Sequence, residues 1–209
     1  MRVTQVIKCG KSRSLIKLES GLSFPLYSSE LTKYDTKEGS DLSDEALQEI
    51  MTQILPSRCI KRAMNLLQKK SFSEGELRRK LTEGGYPEEI ADKAVEYVRS
   101  YGYIDDVRYA SDYIRYHSSS GRGVNRIRME LRAKGISDDD FEKALKEMEE
   151  LGLLGDTSEA IGKLLAKKHF SPDMDRAEKE KIAAFIIRRG FSAEDIFRCM
   201  KTYAEDTTI

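Results

Sequence analysis

From residue 57 onward the apolar residues fall at helical spacing, and the spacing itself recurs. Leu77, Leu81 and Gly85 stand to one another as Ile127, Leu131 and Gly135 do, and Ile182, Ile186 and Gly190 repeat the pattern a third time. One apolar residue follows each glycine (Tyr86, Ile136, Phe191), then a helix start at Pro87, Ser137 or Ser192. Ten residues past each glycine comes another apolar position: Val95, Leu145 or Met200. A preceding helix carries Ala63 and Leu67, Ala110 and Ile114, or Ala160 and Leu164 at i, i+4. Tyr101-Gly102-Tyr103-Ile104-Asp105-Asp106 matches Leu151-Gly152-Leu153-Leu154-Gly155-Asp156, and this pair of glycines, like Gly85 and Gly135, lies 50 residues apart. Glycine just past an apolar run ends a helix in the left-handed region without a Cβ clash. Ser73-x-x-Glu76 and Asp156-x-x-Glu159 predict capping boxes, and Ser171-Pro172 predicts an N-cap followed by proline. The pattern predicts three tandem three-helix repeats, at 57–106, 107–156 and 157–209, with helices ending near 206. Such arrays form elongated, curved molecules, so a mainly α fold of that shape is expected.

Residues 1–56 differ. Val3, Gln5 and Ile7 alternate with Thr4, Val6 and Lys8, then Leu15, Lys17, Leu18 and Glu19 follow, and Leu22, Phe24 and Leu26 after them. Gly10 and Gly21 punctuate the runs, which predicts a small antiparallel hairpin or three-stranded piece with Pro25 on an edge strand or at its end. Residues 33–43 read as a polar connector. Asp41 or Ser43 is placed to cap a helix reaching about Leu55, where Pro56 is expected to stop it.

Composition narrows the function classes. Lys+Arg and Asp+Glu both number 36, so no global field announces a polyanionic partner. No run approaches the roughly 20 apolar residues of a membrane span, and 1–14 lack the apolar core of a signal peptide. Cys9, Cys59 and Cys199 are scattered, as are His117 and His169, which fits reduced thiols in a cytoplasmic protein and no metal site. There is no P-loop, no G-x-S-x-G and no histidine beside a nucleophile, so neither catalysis nor a cofactor is expected.

Charge is segregated along the chain. Residues 57–81 carry Arg58, Lys61, Arg62, Lys69, Lys70, Arg78, Arg79 and Lys80 against Glu74 and Glu76. Residues 107–135 carry Arg108, Arg115, Arg122, Arg126, Arg128, Arg132 and Lys134 against Asp112 and Glu130. Residues 136–156 reverse the sign, with Asp138, Asp139, Asp140, Glu142, Glu147, Glu149, Glu150 and Asp156. On a helical wheel of 121–134, Val124, Ile127 and Leu131 form the core stripe; Arg122, Arg126 and Arg132 point away and Arg128 flanks it. These arginines are either a solvated face or contacts to phosphates or an acidic protein groove, and residue type does not decide between the last two. Tyr109, Tyr113 and Tyr116 fall at i, i+4, i+7; packing between helices is expected over base stacking. His117 reads as a helix-end residue, and 118–121 as a flexible loop.

At these positions the chain resembles the RecX family, over about residues 58–203. The most specific stretch is Gly102-Tyr103-Ile104-Asp105-Asp106-x-Arg108-Tyr109-Ala110, followed by Gly121-x-Gly123-x-x-x-Ile127-x-x-Glu130-Leu131-x-x-Lys134-Gly135-Ile136. Ser73, Glu76, Leu77, Lys80, Leu81 and Gly85 match in the first repeat; the third fits mainly by spacing. The resemblance implies a non-catalytic cytoplasmic protein of recombination, DNA repair and the SOS response. It would bind the RecA filament in its groove, bridge subunits and oppose filament growth, as a monomer with weak affinity for single- or double-stranded DNA. Candidate RecA or DNA contacts are Arg78, Arg79, Lys80, Arg115, Arg122, Arg126, Arg128, Arg132, Lys134, Arg188 and Arg189. Two other classes stay open. A helix-turn-helix transcription regulator could use short helices around Gly85 or Gly135, although one recognition helix needs no three copies. In a protein-binding scaffold the basic faces would serve solubility alone.

Overall fold

The structure is a computed structural model that describes residues 1–206. The last three residues of the third expected repeat lie outside the described residues. The helical periodicity is realised as three helices per repeat. The first repeat contains α3 (Leu55–Leu67), α4 (Glu74–Thr82) and α5 (Glu88–Ser100). The second contains α6 (Asp106–Ser118), α7 (Val124–Ala133) and α8 (Asp138–Glu150), and the third α9 (Thr157–Lys167), α10 (Arg176–Ile187) and α11 (Ala193–Asp206). The chain divides into two compact units, one ending at Asp105 and one beginning at Asp106.

Each repeat closes its own core. Leu77 and Leu81, Ile127 and Leu131, and Ile182 and Ile186 are all buried. Around Ile127 and Leu131 pack Ala110, Ile114, Ile136 and Phe141; around Ile186 pack Ile161, Leu165, Phe191 and Ile196. Burying one such aliphatic side chain contributes about 1.5–3 kcal/mol. The glycines that end the helices take φ values from 64° at Gly152 to 94° at Gly190. Ser73, Ser137, Asp156 and Ser192 accept from backbone amides at the helix starts as the sequence predicts.

The N-terminal segment is a three-stranded antiparallel sheet of β1 (Val3–Lys8), β2 (Arg13–Leu18) and β3 (Ser23–Tyr27), in the order β1-β2-β3. Pro25 lies on the edge strand β3, where its missing N–H costs no ladder bond. Ile16, Leu18, Phe24 and Leu26 join Leu55, Cys59 and Ala63 in one core, so the sheet covers the first repeat. The ion pair of Arg58 and Glu30, together with a 3.2 Å bond from Arg58 to the Pro25 carbonyl, ties α3 to β3 and to α1 (Ser28–Lys33). Arg58 is thus a structural residue of the first basic run.

Three expectations are corrected. The face assignment of β1 fails beyond Val3, because the register shifts between Val3 and Gln5: Val6 turns inward and Ile7 is exposed. One inserted residue exchanges the two faces of a strand. Second, Ser43 does cap α2 (Asp44–Glu49), but Pro56 does not stop the helix. A π-helical turn at Ile50–Ile54 carries α2 into α3, with the Leu55 N–H donating to the Ile50 carbonyl five residues back. Proline in a helix clashes with the carbonyl four residues earlier and offers it no donor; the wider π turn shifts that carbonyl aside. Third, α10 starts at Asp175, whose carboxylate accepts from the Glu178 N–H at 2.7 Å, while Ser171 closes only a turn by accepting from Asp173. Asp175 is an equally good cap and carries Glu178 three residues on, whereas half-buried Met174 fixes the preceding turn against the core.

Candidate nucleic-acid and partner interface

An α-helix begins with N–H groups that lack intrahelical acceptors, and a polar side chain usually supplies one. Before α7 that position is Gly123, which has none to offer. The acceptors come from the end of α10 instead. The Gly123 N–H donates to the Arg189 carbonyl at 2.9 Å and the Asn125 N–H to the Gly190 carbonyl at 3.1 Å. The positive end of one helix dipole thereby meets the negative end of another, across two repeats. The approach is so close that a Cβ at Gly123 would collide with the Gly190 carbonyl and the Phe191 amide. Gly123 has φ −74°, a conformation open to any residue, so glycine is required there for space alone.

This backbone clasp gathers arginines that are more than sixty residues apart. Arg122 and Arg126 on one side, and Arg188 and Arg189 on the other, line an open cleft of about 410 Å³ with Phe185. Arg122 and Arg126 share one carboxylate: Arg122 Nη1 lies 2.7 Å and Arg126 Nε 2.9 Å from the two oxygens of Glu130. The Tyr113 hydroxyl donates to the same carboxylate at 2.9 Å. Burial opposes the charged form of Glu130, but the bonds from Arg126 and Tyr113 and the charge of Arg122 outweigh it and hold its pKa below the ordinary value. Arg126 also reaches the Arg188 carbonyl at 3.4 Å. Arg189 lies over the Phe185 ring at 5.0 Å, and Lys168 at 4.4 Å. No carboxylate among the described residues pairs with Arg188 or Arg189.

The other candidates are placed differently. Arg78 pairs with Asp92, Lys80 with Glu83 at 2.7 Å, and Arg79 is also engaged. Arg115 pairs with Asp112 at 3.0 Å. The acidic helix α8 lies against α7: Arg128 reaches Glu142 at 2.5 Å and covers the Phe141 ring, and Arg132 pairs with Asp138. Arg132 therefore does not share a cluster with Arg122 and Arg126. Lys134 sits 5.9 and 5.7 Å from the rings of Tyr109 and Tyr113, both partly buried against the second repeat's core, whereas Tyr116 is exposed. His117 packs 4.1 Å from the Tyr113 ring in the last turn of α6.

Sequence reasoning placed the four cleft arginines among its candidates without grouping them; it named Glu130 only as an acid in the basic run and a matched family position, and it missed Phe185. The i, i+4 spacing of Arg126 and Glu130 carries a signal for that pair; nothing local signals Phe185.

Comparison with known proteins agrees with the architecture. The chain matches the first three-helix domain of RecX over residues 59–97, the second over 105–145 and the third over 156–200. It is 37% identical over 140 residues to the regulatory protein RecX of Vibrio vulnificus, covering 66% of this chain and 88% of that protein. It is 29% identical over 195 residues to that of Leuconostoc mesenteroides, covering 91% and 72%. A crystal structure of regulatory protein RecX aligns over 96% of this chain and 98% of that one, at 25% identity and a TM-score of 0.63. The RecX structure from Lactobacillus salivarius shares the fold, at 24% identity, a TM-score of 0.61 and 71% and 96% coverage. With three successive domains and the curated relatives in agreement, the chain belongs to the RecX family of regulatory proteins.

Proposed function

We propose that the protein is a non-enzymatic regulator of homologous recombination and DNA repair that binds the RecA–DNA filament and inhibits its activity. Family membership supports the regulatory role. The observation that carries the contact is the cleft in which Arg188 and Arg189, without carboxylate partners, face Arg122 and Arg126. A nucleoprotein filament presents closely spaced anions, and several guanidinium groups held together engage them in charge-assisted, often bidentate bonds. Direct affinity for DNA follows as a weak, salt-dependent property of the same surface. The protein acts as a cytoplasmic monomer without a cofactor, within the SOS response. No helix among the described residues is long and apolar enough to cross a membrane.

The test is RecA ATPase on single-stranded DNA, titrated with the protein. The parent is expected to inhibit, and an Arg188→Ala/Arg189→Ala variant to need about tenfold more protein, the equivalent of about 1.4 kcal/mol. Glu149→Ala/Glu150→Ala serves as the control on α8. A parent without effect on RecA would end the proposal; equal inhibition by the arginine variant would move the contact elsewhere.

A further inference from the structure

Resting on that regulatory role, we infer that the four-arginine cleft is a binding site for the phosphodiester groups of a single nucleic-acid strand, and that Glu130 is its built-in competitor. With the cleft empty, the Glu130 carboxylate occupies Arg122 and Arg126; an entering phosphate takes over those two guanidinium groups and joins them to Arg188 and Arg189.

Four features carry this. Even with Glu130 seated, four guanidinium groups face one carboxylate, so the cleft holds excess positive charge. That one carboxylate offsets a single positive charge, shared between Arg122 and Arg126, and the arginines on the α10 wall have no acidic partner among the described residues. Its size of about 410 Å³ and its open form leave room for a phosphate group and the sugar that carries it. Finally, apart from Phe185 the side chains that line the cleft are all donors. The Arg189 and Gly190 carbonyls are taken by the amides of α7, and the Arg188 carbonyl by Arg126. An acidic peptide would bring backbone N–H groups, for which the four guanidinium groups are no acceptors. The phosphates of a nucleic-acid strand bring acceptors only, which guanidinium groups match.

Glu130 gives the inference its distinctive sign. Removing a carboxylate from a surface would ordinarily be read as loss of an ion pair; here it frees two arginines for the ligand. The full-length chain would be titrated against a fluorescein-labelled oligo-dT by anisotropy at several salt concentrations. Glu130→Gln is expected to tighten binding roughly two- to fivefold, the size of one charge contact near a surface. Arg188→Ala/Arg189→Ala is expected to weaken it about tenfold or more and to lower the salt slope by about 1.4, at about 0.7 per phosphate contact on a single strand. Circular dichroism checks the fold of Glu130→Gln, which loses charged partners for Arg122 and Arg126. The Arg188/Arg189 variant changes exposed or half-buried side chains outside the core, so it tests the site even if Glu130→Gln unfolds.

Unchanged or weaker binding by folded Glu130→Gln would overturn the competitor role, and unchanged binding by the arginine variant would overturn the site. Polyglutamate of matched charge is expected not to displace the oligonucleotide; equal displacement would assign the cleft to an acidic protein surface instead. If the arginine variant loses RecA inhibition but keeps its oligonucleotide affinity, the inference fails and the regulatory role stands. If the parent leaves RecA unaffected while Glu130→Gln still tightens on the oligonucleotide, the regulatory role fails and the site stands.

Discussion

Gly123→Ala is expected to uncouple the second repeat from the third, at a cost of about 2–4 kcal/mol. The backbone at this position is ordinary, so the whole effect comes from the added methyl group, which has nowhere to go but into the Gly190 carbonyl and the Phe191 amide. Those atoms belong to a helix end held by Ile186 and Phe191 in its own core, and they cannot yield as a side chain would. The cores of the two repeats share no residues, so each should survive while the clasp opens. Hydrogen exchange reads this directly: protection of the Gly123 and Asn125 amides should fall, and that of Leu131 should persist. Gly190→Ala should cost more. It adds a clash with Arg126 and the strain of a side chain at φ 94°, about 1–2 kcal/mol for an L-residue in the left-handed region. If Gly123→Ala exchanges like the parent, the clasp is not what joins the repeats.

Leu131→Ala should lower global stability by about 2–5 kcal/mol, the range for buried large aliphatic residues whose surroundings cannot fully collapse. Leu131 is 1% exposed and lies among Ile127, Ile114 and Phe141. Denaturant titration followed by far-ultraviolet circular dichroism gives the value. A loss below about 1 kcal/mol would show that the helix buries a different face.

Short-range order was legible in the sequence. Leucine and isoleucine at helical spacing, a glycine after each run and a serine or aspartate before the next all act within a few residues, so they announce themselves locally. Where two local rules competed, the sequence could not choose between them. Pro56 forbids a regular helix, yet a π turn keeps the chain helical; Ser171 and Asp175 both make sound caps, and packing of Met174 selects the second. The cleft was the least legible feature. Arg122 and Arg189 are distant in sequence, and what joins them is an absence, two glycines that let main chains touch. Linear charge segregation also misled in part, because folding lays acidic α8 beside basic α7 and pairs Arg128 and Arg132 with its carboxylates.

That each repeat closes its own core has a consequence for synthesis on the ribosome. Helical units built from near neighbours in sequence fold in microseconds to milliseconds, whereas roughly 50 residues take about 3–10 s to translate at 5–20 residues per second. Each core can therefore form before the next has emerged, the N-terminal sheet and first repeat leading. The clasp cannot, because its acceptors at Arg189 and Gly190 are made more than sixty residues after its donors at Gly123 and Asn125. A nascent chain stalled within α10 would carry two finished repeats and only half of the anion cleft, Arg122 and Arg126 still held by Glu130.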